Sequence, residues 1–249
     1  MGEKRTLLNA LQKSQMDAVN LLIAEQEHNA LCWRSIFHVP HYSELLVEKL
    51  RVAEAGMSDV EKRNAASALQ WVEINLLSAQ REAREGYKSV TRRTVIVLAD
   101  ILENALEATI AICLQHLDPA QSSLQEVTSY RREAHAEREF KRAIRRWESK
   151  LFSTMPDRTA RMEHMIGAFF PDFRVPEDAS LLDELFEARN EFTHEAIRLS
   201  ERNDFAGPPT WSLEKTDKAF QVAGDFLIAI MKSIPGDLTA PIRPFSSSA

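Results

Sequence analysis

The chain has 249 residues, 44% of them hydrophobic, with only 7 Gly and a formal charge of -6. That apolar fraction is ample for a packed core, and the scarcity of glycine disfavours a turn-rich β architecture. The acidic balance excludes a protein that coats nucleic acid indiscriminately, while leaving room for a local basic groove.

Nearly everything reads as helix, with apolar residues recurring at three-and-four spacing. Leu7, Leu8, Leu11, Ala18, Leu22 and Ile23 form the stripe of a first helix predicted to end before Pro40. Ser43 is expected to open a short second helix that Gly56 stops. Ser58-Asp59-Val60-Glu61 is a capping box, and the helix it starts is predicted to run to about Gly86, burying Ala65, Leu69, Val72, Leu76 and Leu77. A fourth helix spans 92–117 and is closed by Asp118-Pro119. Its segment 95–117 is the nearest approach to a membrane span, but Asp100, Glu103 and Glu107 penalise insertion, so a soluble protein with no membrane partner is expected.

A long charged helix is predicted over 122–152, then a short one through Met162, Ile166 and Phe169 that ends at Pro171. Acidic and hydroxyl residues in 176–180 suit the N-terminus of the next helix. Residues 203–211, with Gly207-Pro208-Pro209, read as a loop, 213–233 as the last helix, and the tail from Pro235 as frayed. The two cysteines, Cys32 and Cys113, are too few for a disulfide framework or a metal cage, which points to a reduced, cytoplasmic setting. The opening residues run into an amphipathic segment and carry no secretory signal. His38 and His41 flank Pro40 on a predicted loop, lack a Cys or paired acid at ligand spacing, and make a poor metal site. No Gly-rich phosphate loop, Gly-x-Ser-x-Gly elbow or His-Glu-x-x-His helix occurs, so neither metal nor cofactor is expected.

The segment Arg189-Asn190-Glu191-Phe192-Thr193-His194 conflicts with its surroundings. Leu182, Leu185, Phe186, Phe192 and Ala196 mark the buried face of that helix, and Arg189 falls in the middle of it. A guanidinium there must be paired, line a cavity or meet another chain, because burying it alone costs on the order of several kcal/mol. His194, of the one side chain type that changes charge near neutral pH, lies five positions on, about 140° around a straight helix, so the two side chains do not share a face. The structural alternative is an inward Arg paired with a core carboxylate, plus a surface His.

This arrangement, Arg then four intervening residues then His with Asn directly after the Arg, within "LLDELFEARNEFTHE", resembles the signature of HEPN domains, the higher-eukaryote and prokaryote nucleotide-binding helical bundles. The resemblance covers about 89–235. It implies an all-α antiparallel helical bundle at 89–235; residues 1–88 fall outside it and read as an N-terminal helical extension of unknown function, and 236–249 read as a flexible tail. It also implies a metal-independent endoribonuclease that cleaves RNA through its own 2′-hydroxyl, with a homodimer joining two motifs in one composite cleft. Chains of this kind act as toxins or antiviral defence effectors, with an antitoxin or regulatory partner in some cases. In such a site His194 moves protons, Arg189 clamps phosphate, and Asn190 supports them.

Asp100, Glu103, Asn104 and Glu107 share one side of the fourth helix, opposite Leu98, Leu102, Ala105 and Leu106. They read as a solvated face. The family places an acid from this helix beside the Arg/His pair, and Glu103 is its best match, with Glu107 in reserve. On the long helix Arg138, Arg142 and Arg145 line one face with Trp147 behind them, beside Arg131, Arg132, Lys141 and Arg146. They form either a phosphate-tracking surface for single-stranded RNA with an aromatic for stacking, or an exposed helix stitched by ion pairs to Glu133, Glu137, Glu139 and Glu148. Two further readings compete with the nuclease. One is a non-enzymatic HEPN-type module that binds nucleotide or protein, working with a partner nucleotidyltransferase. The other is a helical scaffold with no ligand.

Overall fold

The computed structural model describes residues 2–53, 56–137, 139–199 and 211–234, with the side chains of 2–8, 136–137 and 194–199 outside that description. Among the described residues the protein is all-α. The helices are α1 (Gly2–Ala53), α2 (Asp59–Arg84), α3 (Lys88–His116), α4 (Leu124–Glu137), α5 (Phe140–Leu151), α6 (Arg158–Gly167), α7 (Ser180–Leu199) and α8 (Leu213–Ser233). The expected tail from Pro235, most of the 203–211 loop and Arg138 lie outside the described residues. No helix among the described residues is long and apolar enough to cross a membrane.

Helix α3 is the hub, packing against α1, α4, α5, α6, α7 and α8. Leu98, Leu102, Ala105 and Leu106 are buried along it, as their spacing predicts. Around them the core takes Leu182, Leu185, Phe186 and Phe192 from α7, Phe220, Phe226 and Leu227 from α8, and Met162 and Ile166 from α6. Leu11, Ala18 and Leu22 of α1 join the same hydrophobic cluster, whereas Ile23 of the predicted stripe is exposed. The seam between α1 and α3 is polar. Gln15 donates to Thr109, Arg93 to Glu25, and the Thr94 hydroxyl lies 2.9 Å from Asn29 Oδ1. These pairs run in opposite directions along the two chains, so they fix an antiparallel register that apolar contacts alone would leave free to slide.

Three expectations are corrected. Pro40 does not end a helix: α1 runs unbroken through it, placing His38, His41 and Ser43 inside the helix. A mid-helix proline costs about 3 kcal/mol. Helix α1 packs on α2, and Ile36, Val39, Ser43 and Leu46 on both sides of Pro40 share a groove with Val72 and Ala79 of α2. Secondly, the long charged helix is two. Residue 138 separates α4 from α5, and α5 folds back so that Tyr130 stacks on Trp147 with ring centroids 5.2 Å apart. On one straight helix those residues would stand about 25 Å apart. Thirdly, α2 buries little: Ala65, Leu69, Val72 and Leu76 are only half-covered and Leu77 is exposed, because among the described residues α2 packs chiefly on α1.

The capping box forms as predicted. Ser58 Oγ accepts from the Glu61 amide, and Glu61 Oε2 accepts from the Ser58 amide at 2.8 Å. At the other end of α2, Gly86 takes φ 68°, with Tyr87 N–H donating to the Glu82 carbonyl and Gly86 N–H to that of Ala83. This is the glycine-terminated helix end in which the left-handed residue satisfies the last carbonyls. A Cβ at Gly86 would meet nothing within 4 Å, so any cost of adding one is backbone strain. Gly86→Ala is expected to lower the unfolding free energy by about 1 kcal/mol and Gly86→Asn by less, read as urea midpoints at constant slope.

Candidate functional site

The charged side of α3 gathers cations from three other helices. Arg189, rising from the middle of the buried stripe of α7, places Nη2 3.0 Å from Asp100 Oδ1 and 2.9 Å from Glu103 Oε2, while Nη1 donates to Asn190 Oδ1 at 3.3 Å. Its side chain is 27% exposed, at the rim of the core and not sealed within it. Arg158 of α6 reaches the other oxygen of Glu103 at 2.7 Å, stacks its guanidinium 4.1 Å over the Phe186 ring, and pairs with Glu148 at 3.0 Å. Arg145 and Lys141 of α5 converge on Glu107, whose side chain is only 8% exposed, at 3.0 and 3.2 Å.

The α3 carboxylates are therefore not the solvated face that their spacing suggested. Burial would raise the Glu103 pKa. The hydrogen bond and charge of Arg158, with the charges of Arg189 and Arg145, outweigh that and hold it below the usual carboxylate range. The Arg145 guanidinium is pushed up, chiefly by its hydrogen bond to Glu107.

Two further contacts position α7. Asp183, in its first turn, accepts from the Thr159 amide at 2.9 Å and from the Thr159 hydroxyl, capping α6 from a neighbouring helix. Arg92 of α3 donates to the Phe192 carbonyl at 2.6 Å and lies over the Phe192 ring, two residues before His194. Helix α7 is continuous from Ser180 to Leu199, so the backbone carrying Arg189 and His194 is not broken at Asn190. Asn190 is exposed beside Arg189, and the His194 side chain lies outside the described residues.

Arg138 also lies outside them, and Arg142 and Arg145 sit on α5. Arg142 is exposed and 3.7 Å from Glu139, Arg146 pairs with Glu133, and Arg131 donates to the Leu114 and Leu117 carbonyls at the end of α3. Trp147 is fully buried against Tyr130 with its Nε1 donating to Glu126 at 2.9 Å, so it is not an aromatic available for stacking on a base. Most of these cations thus serve ion pairs or helix ends.

Arg158 and Asp183 were not legible as site residues. Each sits in the first turn of its own helix, where a local role would explain it. Asp100 was visible on the acidic side of α3 but not as the partner of Arg189. Among the described residues no group of three or more His, Cys, Asp or Glu side chains could hold a metal ion. The chain matches no family model, no curated protein and no solved structure.

The depressed Glu103 pKa has a consequence for stability. A carboxylate held low when folded contributes stability above its unfolded pKa, about 4.3, and that contribution is lost as pH falls through the folded value. Glu103→Gln is expected to cost on the order of 1–2 kcal/mol at pH 7. The gap between wild type and variant in thermal midpoint should shrink below about pH 4.3, with no change between pH 6 and 8. A gap that widens on acidification would show that the carboxylate is not held in its charged form.

Proposed function

We propose that the protein is a metal-independent endoribonuclease of HEPN type, acting as a toxin or antiviral defence effector. The observation that carries this reading is Arg189, an arginine set into an apolar stripe yet held at the core rim between Asp100 and Glu103. Two acids on a rigid neighbouring helix fix the guanidinium plane, which suits it to grip phosphate oxygens through its remaining N–H groups.

In the reaction a base removes the 2′-hydroxyl proton, O2′ attacks phosphorus, and the P–O5′ bond breaks as an acid protonates the leaving oxygen. The products are a 2′,3′-cyclic phosphate and a 5′-hydroxyl. His194 serves as base or acid, Arg189 stabilises the phosphorane, and Asn190 and Glu103 support them. In-line attack sets O2′ and O5′ on opposite sides of phosphorus, so one fixed imidazole does not reach both. Because α7 is continuous through the motif, the second pair comes from a twin subunit in a composite cleft. Arg142 and Arg145, both exposed on α5, contribute phosphate contacts by exchanging their carboxylate partners for RNA.

The same ion pairs favour a second reading. Asp100 and Glu103 are partners that a purely structural arginine would choose, and the chain would then be a non-enzymatic helical module that binds nucleotide or protein beside a partner nucleotidyltransferase. The two part on one experiment. Under the nuclease reading, purified protein cuts RNA in EDTA and leaves 2′,3′-cyclic phosphate ends. His194→Ala reduces the rate by at least about 100-fold with the circular dichroism melt unchanged. Cutting that persists undiminished in His194→Ala removes the mechanism, and no cutting by the wild type favours the binding module.

A further inference from the structure

Beyond Asn29 the second half of α1 leaves the core and pairs with α2 as a two-helix arm. Among the described residues α1 is the helix against which α2 packs, and the arm's flanks stand open. One flank is a groove of about 380 Å³, walled by Val39, Tyr42 and Leu46 of α1 and by Val72, Asn75 and Ala79 of α2. Trp71 stands four, seven and eleven positions before Asn75, Ser78 and Glu82, which also line the groove, and so shares their helix face. Two aromatic side chains on opposite helices, Tyr42 at 66% and Trp71 at 67% exposure, thus rim an apolar trough. Leu31 and Val60 stand 11 positions before Tyr42 and Trp71, three turns back on the same faces.

We propose that this flank pairs with the same flank of a second copy of the chain, joining two arms into an antiparallel four-helix bundle. Two arguments select a second copy. The first is area: Leu31, Tyr42, Leu46, Val60 and Trp71 together expose on the order of 600 Å², at the upper end of the roughly 300–600 Å² of the largest patch on a typical monomer. A symmetrical pair covers about 1,200 Å², within the range of stable interfaces. The second is charge. Residues 31–84 carry seven basic and seven acidic side chains, net zero, in a chain of net -6, so two arms meet without the repulsion that two whole chains would feel. A two-fold axis across the groove lays each Trp71 on the partner's Val39–Tyr42–Leu46 stripe, an isologous contact that closes on itself.

The proposal is independent of the ribonuclease reading, whose composite cleft involves α7. It is tested by sedimentation equilibrium on the full chain at about 20 µM, in low salt and in about 1 M NaCl, where surface charge is screened. Trp71→Arg is expected to halve the mass of the wild-type assembly in both buffers while leaving the helical circular dichroism spectrum unchanged at 25 °C, since Trp71 is exposed in the single chain. Leu124→Arg, at an exposed apolar site outside the arm, is expected to leave the mass unchanged. A wild type that is monomeric, or a mass that Trp71→Arg does not alter, overturns the proposal; a monomer would reserve the groove for the helix of a different protein.

Discussion

Asp100, Glu103 and Glu107 occupy one side of a helix whose other side is the centre of the core, and they cannot be withdrawn from water unpaired. Arg189 of α7 meets Asp100 and Glu103, Arg158 of α6 meets Glu103, and Arg145 with Lys141 of α5 meets Glu107. Apolar burial supplies the bulk of the stabilisation, but it is indifferent to small rotations of one helix on another. The carboxylates are not indifferent. Ion pairs of this kind add little net stability once desolvation is counted, and removing one partner strands the other, so their effect is to penalise every arrangement but one. The placement of Arg189 follows from that constraint.

Helix α1 carries two environments on one rod. Its first half contributes Leu11, Ala18 and Leu22 to the core and polar residues to the seam with α3, whereas residues 36–46 border a groove shared with α2. The seam explains why the change happens without a break. Glu25 and Asn29 still face α3, Trp33 meets Tyr87 at the turn before α3, and from there the helix face that pointed at the core points at α2.

Where a local rule governed the outcome, the sequence could be read closely. Ser58 and Glu61 announce a helix start because the bonds they make lie within one turn, and the last helix has its predicted bounds, Leu213–Ser233, with Ser212 as its cap. Arg189 was conspicuous because a charge in an apolar stripe must be answered. That its answer includes both Asp100 and Glu103 depends on how α7 lies across α3, a relation between residues almost ninety apart. The failures share a cause. Pro40 reads as a stop because the packing that holds the helix on both sides of it comes from α2. The turn between Glu137 and Phe140 contains no Gly or Pro and is made by Tyr130 meeting Trp147. Trp147 itself, among arginines and glutamates, looks like a surface residue until α4 closes over it. The apolar stripe of α2 predicts a buried face without saying whether one neighbour or several will cover it.

The four tryptophans happen to sample these regions separately. Trp147 is sealed in the core, Trp71 stands in solvent on the arm, Trp33 stacks at the arm's base beside Tyr87, and Trp211 lies under the Lys215 ammonium at the start of α8. Emission from the single chain is therefore expected to mix a blue-shifted, quencher-resistant component from Trp147 with a red-shifted, iodide-accessible one from Trp71. The protein carries its own optical probes, one for the interior and one for the limb that extends from it.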